Sequence, residues 1–136
     1  MKSGKNIIKI FEKKQIKFKK KIDLKDILIF SKLVNDKHKL HKDKKFSKKR
    51  IFKNIIIQGL FLSSICSSLV FKFFGNNALI VKQKFVYHKP VHVKETINII
   101  SNIHLIDKRF SIYEIKTYIK VNKIIKSEGK ITVKII

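Results

Sequence analysis

Residues 54–71 read NIIIQGLFLSSICSSLVF, a run without a single formal charge. The whole chain has 136 residues and a formal charge of +24, so a run this apolar is destined for an interior. Its length sits at the lower edge of a membrane span. Asn54, Gln58, Gly59 and four serines argue against a span. The pattern predicts a buried helix that begins near Gly59 and ends near Phe74, where Gly75-Asn76-Asn77 supplies a stop.

Downstream of this run the period changes. The segments 78–93, 96–106, 110–121 and 130–136 are rich in β-branched and aromatic residues, and much of their length alternates. Turn signals fall at Pro90, at Asp107-Lys108 and at Glu128-Gly129. Long strands joined by short turns imply a mostly antiparallel sheet. That sheet must bury one face, and helix 59–74 is the element apolar enough to receive it. The fold class is therefore α+β, a curved sheet wrapped around one long central helix, the shape called a hotdog.

Upstream, residues 7–20 suggest a strand with an irregular turn near Lys13–Gln15. Asp23 is a fair N-cap for a helix over 23–34, with Asp26 three residues on. Leu24, Ile27, Leu28 and Leu33 are spaced for one face. A dense polar loop follows over 35–50, with Phe46 as its anchor and a short helical turn near Asp43–Ser47. No repeat is evident, and the chain reads as one domain over 1–136, with 1–16 as an N-terminal strand or extension.

The charge is nearly all lysine, since Arg50 and Arg109 are the arginines. Lys, Ile and Asn are what A/T-rich codons supply, so composition alone accounts for the charge. A polyanion partner would use the same charge, but base readers lean on arginine forks. The single cysteine, Cys66, excludes an internal disulfide framework and any multi-cysteine zinc site. The basic start MKSGKNIIKIFEKKQIKFKKK has no long apolar core and no small-residue cleavage site. A cytoplasmic setting is expected ahead of the mitochondrial matrix.

Asp36 and His41 stand five apart in the polar loop. A carboxylate and an imidazole can together hold a water, one taking its proton while the other delivers one nearby. Spacing does not say which is acid and which is base, and a solvated loop would look the same. Gly59 opens the apolar helix, where backbone N–H groups stand free for an oxygen that gains negative charge. A glycine there also simply permits close packing. His88, His92 and His104 lie on strand-like segments without metal-ligand spacing, and Cys66 reads as a small buried residue.

In this order the pieces resemble the MaoC-like dehydratases, the R-specific enoyl-CoA hydratases and related 3-hydroxyacyl-thioester dehydratases. The resemblance covers roughly residues 17–136. The family loop S-G-D-x-N-P-x-H-x-D stands here as Ser-less Val34, Asn35, Asp36, Lys37, His38, Lys39, Leu40, His41, Lys42 and Asp43. The family H-G pair is Gln58-Gly59, and Ser67 falls where some members have a site-lining serine. The F-x-x-P-V-x-x-G-x-T signature survives in Pro90, Val91 and Thr96. The Ser-Gly and Asn-Pro pairs of the loop are lost, and with the proline a rigid φ.

The resemblance implies reversible hydration of a trans-2-enoyl thioester to a (3R)-3-hydroxyacyl thioester in fatty acid metabolism. Asp36 and His41 would be catalytic and Gly59 would polarise the thioester carbonyl. Ser67, His38 and Gln58 would line the site, and the acyl chain would run past Leu60, Ile65 and Phe85. It implies no metal or redox cofactor, an acyl-CoA or acyl carrier protein thioester as substrate, and a homodimer that covers an exposed sheet edge. The rivals are a hotdog acyl thioesterase and a non-enzymatic basic nucleic-acid-binding protein. The latter would want an aromatic-and-arginine stacking platform, and none is evident.

Overall fold

A computed structural model describes residues 15–136. The first half of the expected strand over 7–20, and most of the expected extension over 1–16, lie outside the described residues. Five strands form one sheet: β1 (Gln15–Lys21), β2 (Ala78–Tyr87), β3 (Thr96–Asp107), β4 (Ile112–Val121) and β5 (Ile124–Ile135). Their order is β1-β3-β4-β5-β2, and every pairing is antiparallel. The helices are α1 (Leu24–Val34), α2 (Lys44–Lys49) and α3 (Gly59–Phe74). The curved sheet packs on α3 in a hotdog arrangement. No helix among the described residues is long and apolar enough to cross a membrane.

The core follows from two periodicities. Helix α3 buries Leu62, Cys66, Leu69, Val70 and Phe73, spaced three and four apart. Strands β3, β4 and β5 bury Ile97 and Ile99, Ile115 and Ile119, and Ile131 and Val133, each pair in alternate register. Together these residues form one cluster. Gly75 ends α3 at the expected stop, with φ 60 and ψ −135, a backbone conformation that favours glycine.

Strand β2 needs one irregularity to serve the same core. Ile80 pairs with Val133 and Lys82 with Thr132, leaving Val81 as an extra residue. Before this bulge Ala78 and Ile80 face the helix side. After it Phe85 and Tyr87 do, opposite Gly129 and Ser127. A second bulge leaves Lys126 of β5 without a partner on β4, between the pairs Lys120–Ile125 and Ile119–Ser127.

Three expectations are corrected. Glu128 and Gly129 do not turn but pair inside β5 with Val86 and Phe85. The turn is Asn122-Lys123, between the paired Val121 and Ile124, with φ 49 and 66. These left-handed angles suit the two-residue hairpin whose twist matches its strands. The strand expected over 78–93 stops at Tyr87, and Pro90 and Val91 lie in a loop that touches Ile56 through His92. Finally, α1 buries Ile27 and Ser31, whereas Leu24, Leu28 and Leu33 face outward, Leu33 at 80% exposure. Helix α1 lies outside the sheet, and it meets α3 through a Phe30–Phe61 ring stack at 4.7 Å, so one narrow stripe suffices.

Candidate active site

The loop that carries Asp36 and His41 is held by local hydrogen bonds in place of the missing proline. Asn35 ends α1 at φ 59. Asparagine tolerates this left-handed geometry, so it can stand where the family pattern has glycine. Asp36 Oδ1 accepts from the His38 N–H at 3.0 Å. His38 Nδ1 accepts from the Leu40 N–H at 3.1 Å and so caps the 3-10 turn Lys39–His41. Asp43 caps α2 by accepting from the Phe46 N–H at 3.0 Å. The Leu40 carbonyl then accepts from both Ser47 Oγ and the Ile56 N–H, at 3.1 Å each, which ties the loop to the segment before α3.

This anchoring orients His41. Its Nδ1 lies 2.7 Å from the Ile56 carbonyl. A carbonyl only accepts, so Nδ1 carries the proton and Nε2 of the neutral ring keeps its lone pair. His41 Nε2 faces Asp36 Oδ2 across 3.9 Å. That gap is too long for a direct hydrogen bond and is a distance one water can bridge. The His41 side chain is 15% exposed and that of Asp36 38%, so the pair lies at the edge of solvent.

Gly59 borders the same cleft. The cavity, about 310 Å³, is lined by His41, Ile57, Gly59, Tyr87, Lys89 and Ser127 among others. As the first residue of α3, Gly59 has an N–H without a partner inside the helix, at the end where the helix dipole is positive. A Cβ built on Gly59 would come within 2.9 Å of the Tyr87 ring, so only glycine lets this ring lie over the helix start. Tyr87 in turn stacks on Phe85 at 6.4 Å, and Phe85 lies against the bare backbone of Gly129.

Residues 9–124 match the family model described as MaoC like domain. The chain belongs to the MaoC-like domain family. Its fold is similar to that of the (R)-hydratase from A. caviae involved in PHA biosynthesis, with TM-score 0.83 and 21% identity, covering 88% of this chain and 92% of that one. It is also similar to a truncated HadBC complex, a (3R)-hydroxyacyl-ACP dehydratase from Mycobacterium tuberculosis. There the TM-score is 0.75 and the identity 16%, over 88% of this chain and 93% of that one. A third likeness is to an Archaeoglobus protein described as a monoamine oxidase regulatory protein, with TM-score 0.76 and 21% identity over 89% and 87% of the two chains. No curated protein sequence matches the chain.

In this MaoC-like chain the residues expected at the site fall into two groups. Asp36 and His41 face one another, and His41 shares the cleft with Gly59. His38 is exposed and its ring shapes the loop, 5.8 Å from that of His41. Gln58 is buried, and its Nε2 donates to Ser31 Oγ at 2.6 Å and to the Ile27 carbonyl at 3.3 Å, which docks α1 on the start of α3. Ser67 is exposed on α3, donates to the Ser64 carbonyl at 2.6 Å, and is not among the residues lining the cleft. Of the residues expected along the acyl chain, Ile65 and Phe85 are half-buried, while Leu60 is 68% exposed.

Sequence reasoning missed four residues that line the candidate cleft, Ile56, Tyr87, Ser127 and Lys89. The Ile56 carbonyl is backbone and leaves no mark on residue type. Tyr87 and Ser127 become neighbours only through the register of β2 with β5. Lys89 was one lysine among many. His92, on a segment read as strand-like, lies in the loop after β2, with its Nδ1 2.8 Å from Glu95 Oε1 and its side chain 15% exposed.

Proposed function

We propose that the chain is a hydro-lyase that interconverts a trans-2-enoyl thioester and its (3R)-3-hydroxyacyl thioester. The observation that carries this reading is the 3.9 Å gap between Asp36 Oδ2 and His41 Nε2, in a cleft that His41 shares with the start of α3. A water in that gap would donate one hydrogen to each group. His41 Nε2 takes a proton from the water as its oxygen bonds to C3 of the enoyl chain. Asp36 holds the water's other hydrogen and stabilises the imidazolium that forms. The electron pair released toward the thioester carbonyl meets the Gly59 N–H and the positive end of α3. Protonation at C2 by the same pair completes the addition, so hydrogen and hydroxyl arrive on one face.

The carrier of the acyl chain is CoA or an acyl carrier protein. Lys89 on the cleft lining suits the phosphates of either. A homodimer that covers an exposed edge of the sheet is part of the same proposal.

The test is the ultraviolet absorbance of crotonyl-CoA, which falls as its double bond is hydrated. Wild-type protein is expected to remove it. Asp36→Asn and His41→Ala are each expected to slow the loss by about 100-fold or more, the lower end of acid–base contributions. A wild-type protein that leaves the absorbance unchanged overturns the reading, as do variants that retain full rate.

A further inference from the structure

The cleft holds a polar side chain that the proposed addition leaves unused. Ser127 of β5 is fully buried and lines the cavity with His41, Gly59 and Tyr87. Its Oγ is sealed from solvent and finds no hydrogen-bond partner among the described residues. Gln58, His92 and Glu95 also bury an unpaired atom, but each uses its other polar atom in a bond. Ser127 has one hydroxyl, and no described residue bonds it. Elsewhere on this sheet the inward hydroxyls are satisfied, as where Ser101 Oγ donates to Thr117 Oγ1 at 2.9 Å. A buried hydroxyl without a partner costs stability and calls for an explanation.

The local backbone supplies one. The Lys126 bulge immediately precedes Ser127 and interrupts the ladder with β4. Bulges of this kind re-aim side chains beside functional sites. On the β2 side the Lys126 carbonyl accepts both the His88 and the Lys89 N–H groups, at 2.9 and 3.0 Å, and so fixes the loop that closes the cleft wall. The irregularity thus stands directly beside an unsatisfied hydroxyl in the cleft wall.

We propose that the Ser127 hydroxyl is a substrate-binding group that donates a hydrogen bond to an oxygen of the acyl thioester. The inference rests on the hydro-lyase reading for its ligand class. It goes beyond that reading in assigning a contact outside the Asp36, His41 and Gly59 set.

Ser127→Ala removes the hydroxyl and little else, so the experiment compares it with the wild-type protein in three measurements. These are crotonyl-CoA hydration, calorimetric binding of butyryl-CoA and of (R)-3-hydroxybutyryl-CoA, and the thermal midpoint. The expected result is about a tenfold loss of affinity for at least one ligand, the size of one lost hydrogen bond. The hydration rate at low substrate should fall by a similar factor. The midpoint should stay level or rise, because an orphaned donor has gone. A purely structural serine would give the opposite pattern, a lower midpoint with unchanged binding, and that overturns the proposal. Unchanged binding of both ligands alongside intact hydration overturns it while leaving the hydro-lyase reading standing. Failure to hydrate, with binding still weakened by the variant, overturns that reading and keeps the Ser127 contact. No binding by the wild-type protein overturns both.

Discussion

Asn35 carries the chain out of α1 at φ 59 and delivers Asp36 to its place. Asn35→Gly is expected to leave stability level or raise it slightly. Asn35→Val should cost about 1–2 kcal/mol, because a branched side chain resists the left-handed region. Urea unfolding of the two variants checks this, and equal midpoints would contradict it. Cys66 offers a second single-residue test. Burial pushes its thiol up from 9.0 to about 11, with a weaker opposing pull from the Thr117 hydroxyl. The unfolded chain can lose this proton above pH 9 while the folded chain still holds it, so the thiol's contribution to stability is complete below pH 9 and drains away toward pH 11. Cys66→Ala should flatten the fall in unfolding free energy across that window, and an identical fall in the variant would refute the assignment. Asp36 and His41 drew notice through their ionisable side chains and Gly59 through its place at the helix start, and the family resemblance joined the three. Residue types could not disclose Ile56, whose contribution is a main-chain oxygen, nor that the His38 ring nitrogen would cap the 3-10 turn.

At the level of elements, the helix over 59–74 and the strand-rich end were legible, since charge-free and alternating runs each fit one period. The hairpin between β4 and β5 was not. Gly129 drew the turn toward itself, as glycine does, although here it accommodates the ring of Phe85. The real turn uses Asn122 and Lys123, and lysine seldom adopts φ 66. Lys123→Gly should therefore stabilise the protein by up to about 1 kcal/mol, the relieved left-handed strain less the entropy that glycine adds to the unfolded chain. Gly129→Ala should destabilise by about 1–3 kcal/mol, the range for overpacking, because its Cβ would lie 2.4 Å from the Phe85 ring. Adding Phe85→Leu should recover part of that loss. Chemical denaturation of the three variants decides both expectations, and a harmless Gly129→Ala would show that the ring yields freely.

For the whole molecule, charge is the dominant unbalanced quantity. The formal charge is +24, and the carboxylates that lie within 4 Å of a basic side chain among the described residues face histidines, Asp36 with His41, Glu128 with His88 and Glu95 with His92, and none faces a lysine. Lysines spread over a small surface repel one another, and salt screens that repulsion within about 30 Å at 0.01 M and about 8 Å at 0.15 M. The thermal midpoint should rise as salt is added across this range, and a flat profile would mean the charges are too far apart to matter. Overall architecture was readable because the apolar helix and the sheet had to cover each other. Which faces of α1 and β2 turn inward was not, because packing geometry and a bulge settle that. The extra residue at Val81 has a consequence of its own. It acts like a skipped beat: even-numbered positions keep time with the interior before it, and odd-numbered ones after it. Excising Val81 would leave all later partners matched, whereas a second insertion beside it would put Lys84 and Val86 in the seats of the two rings and turn the aromatic wall out toward solvent.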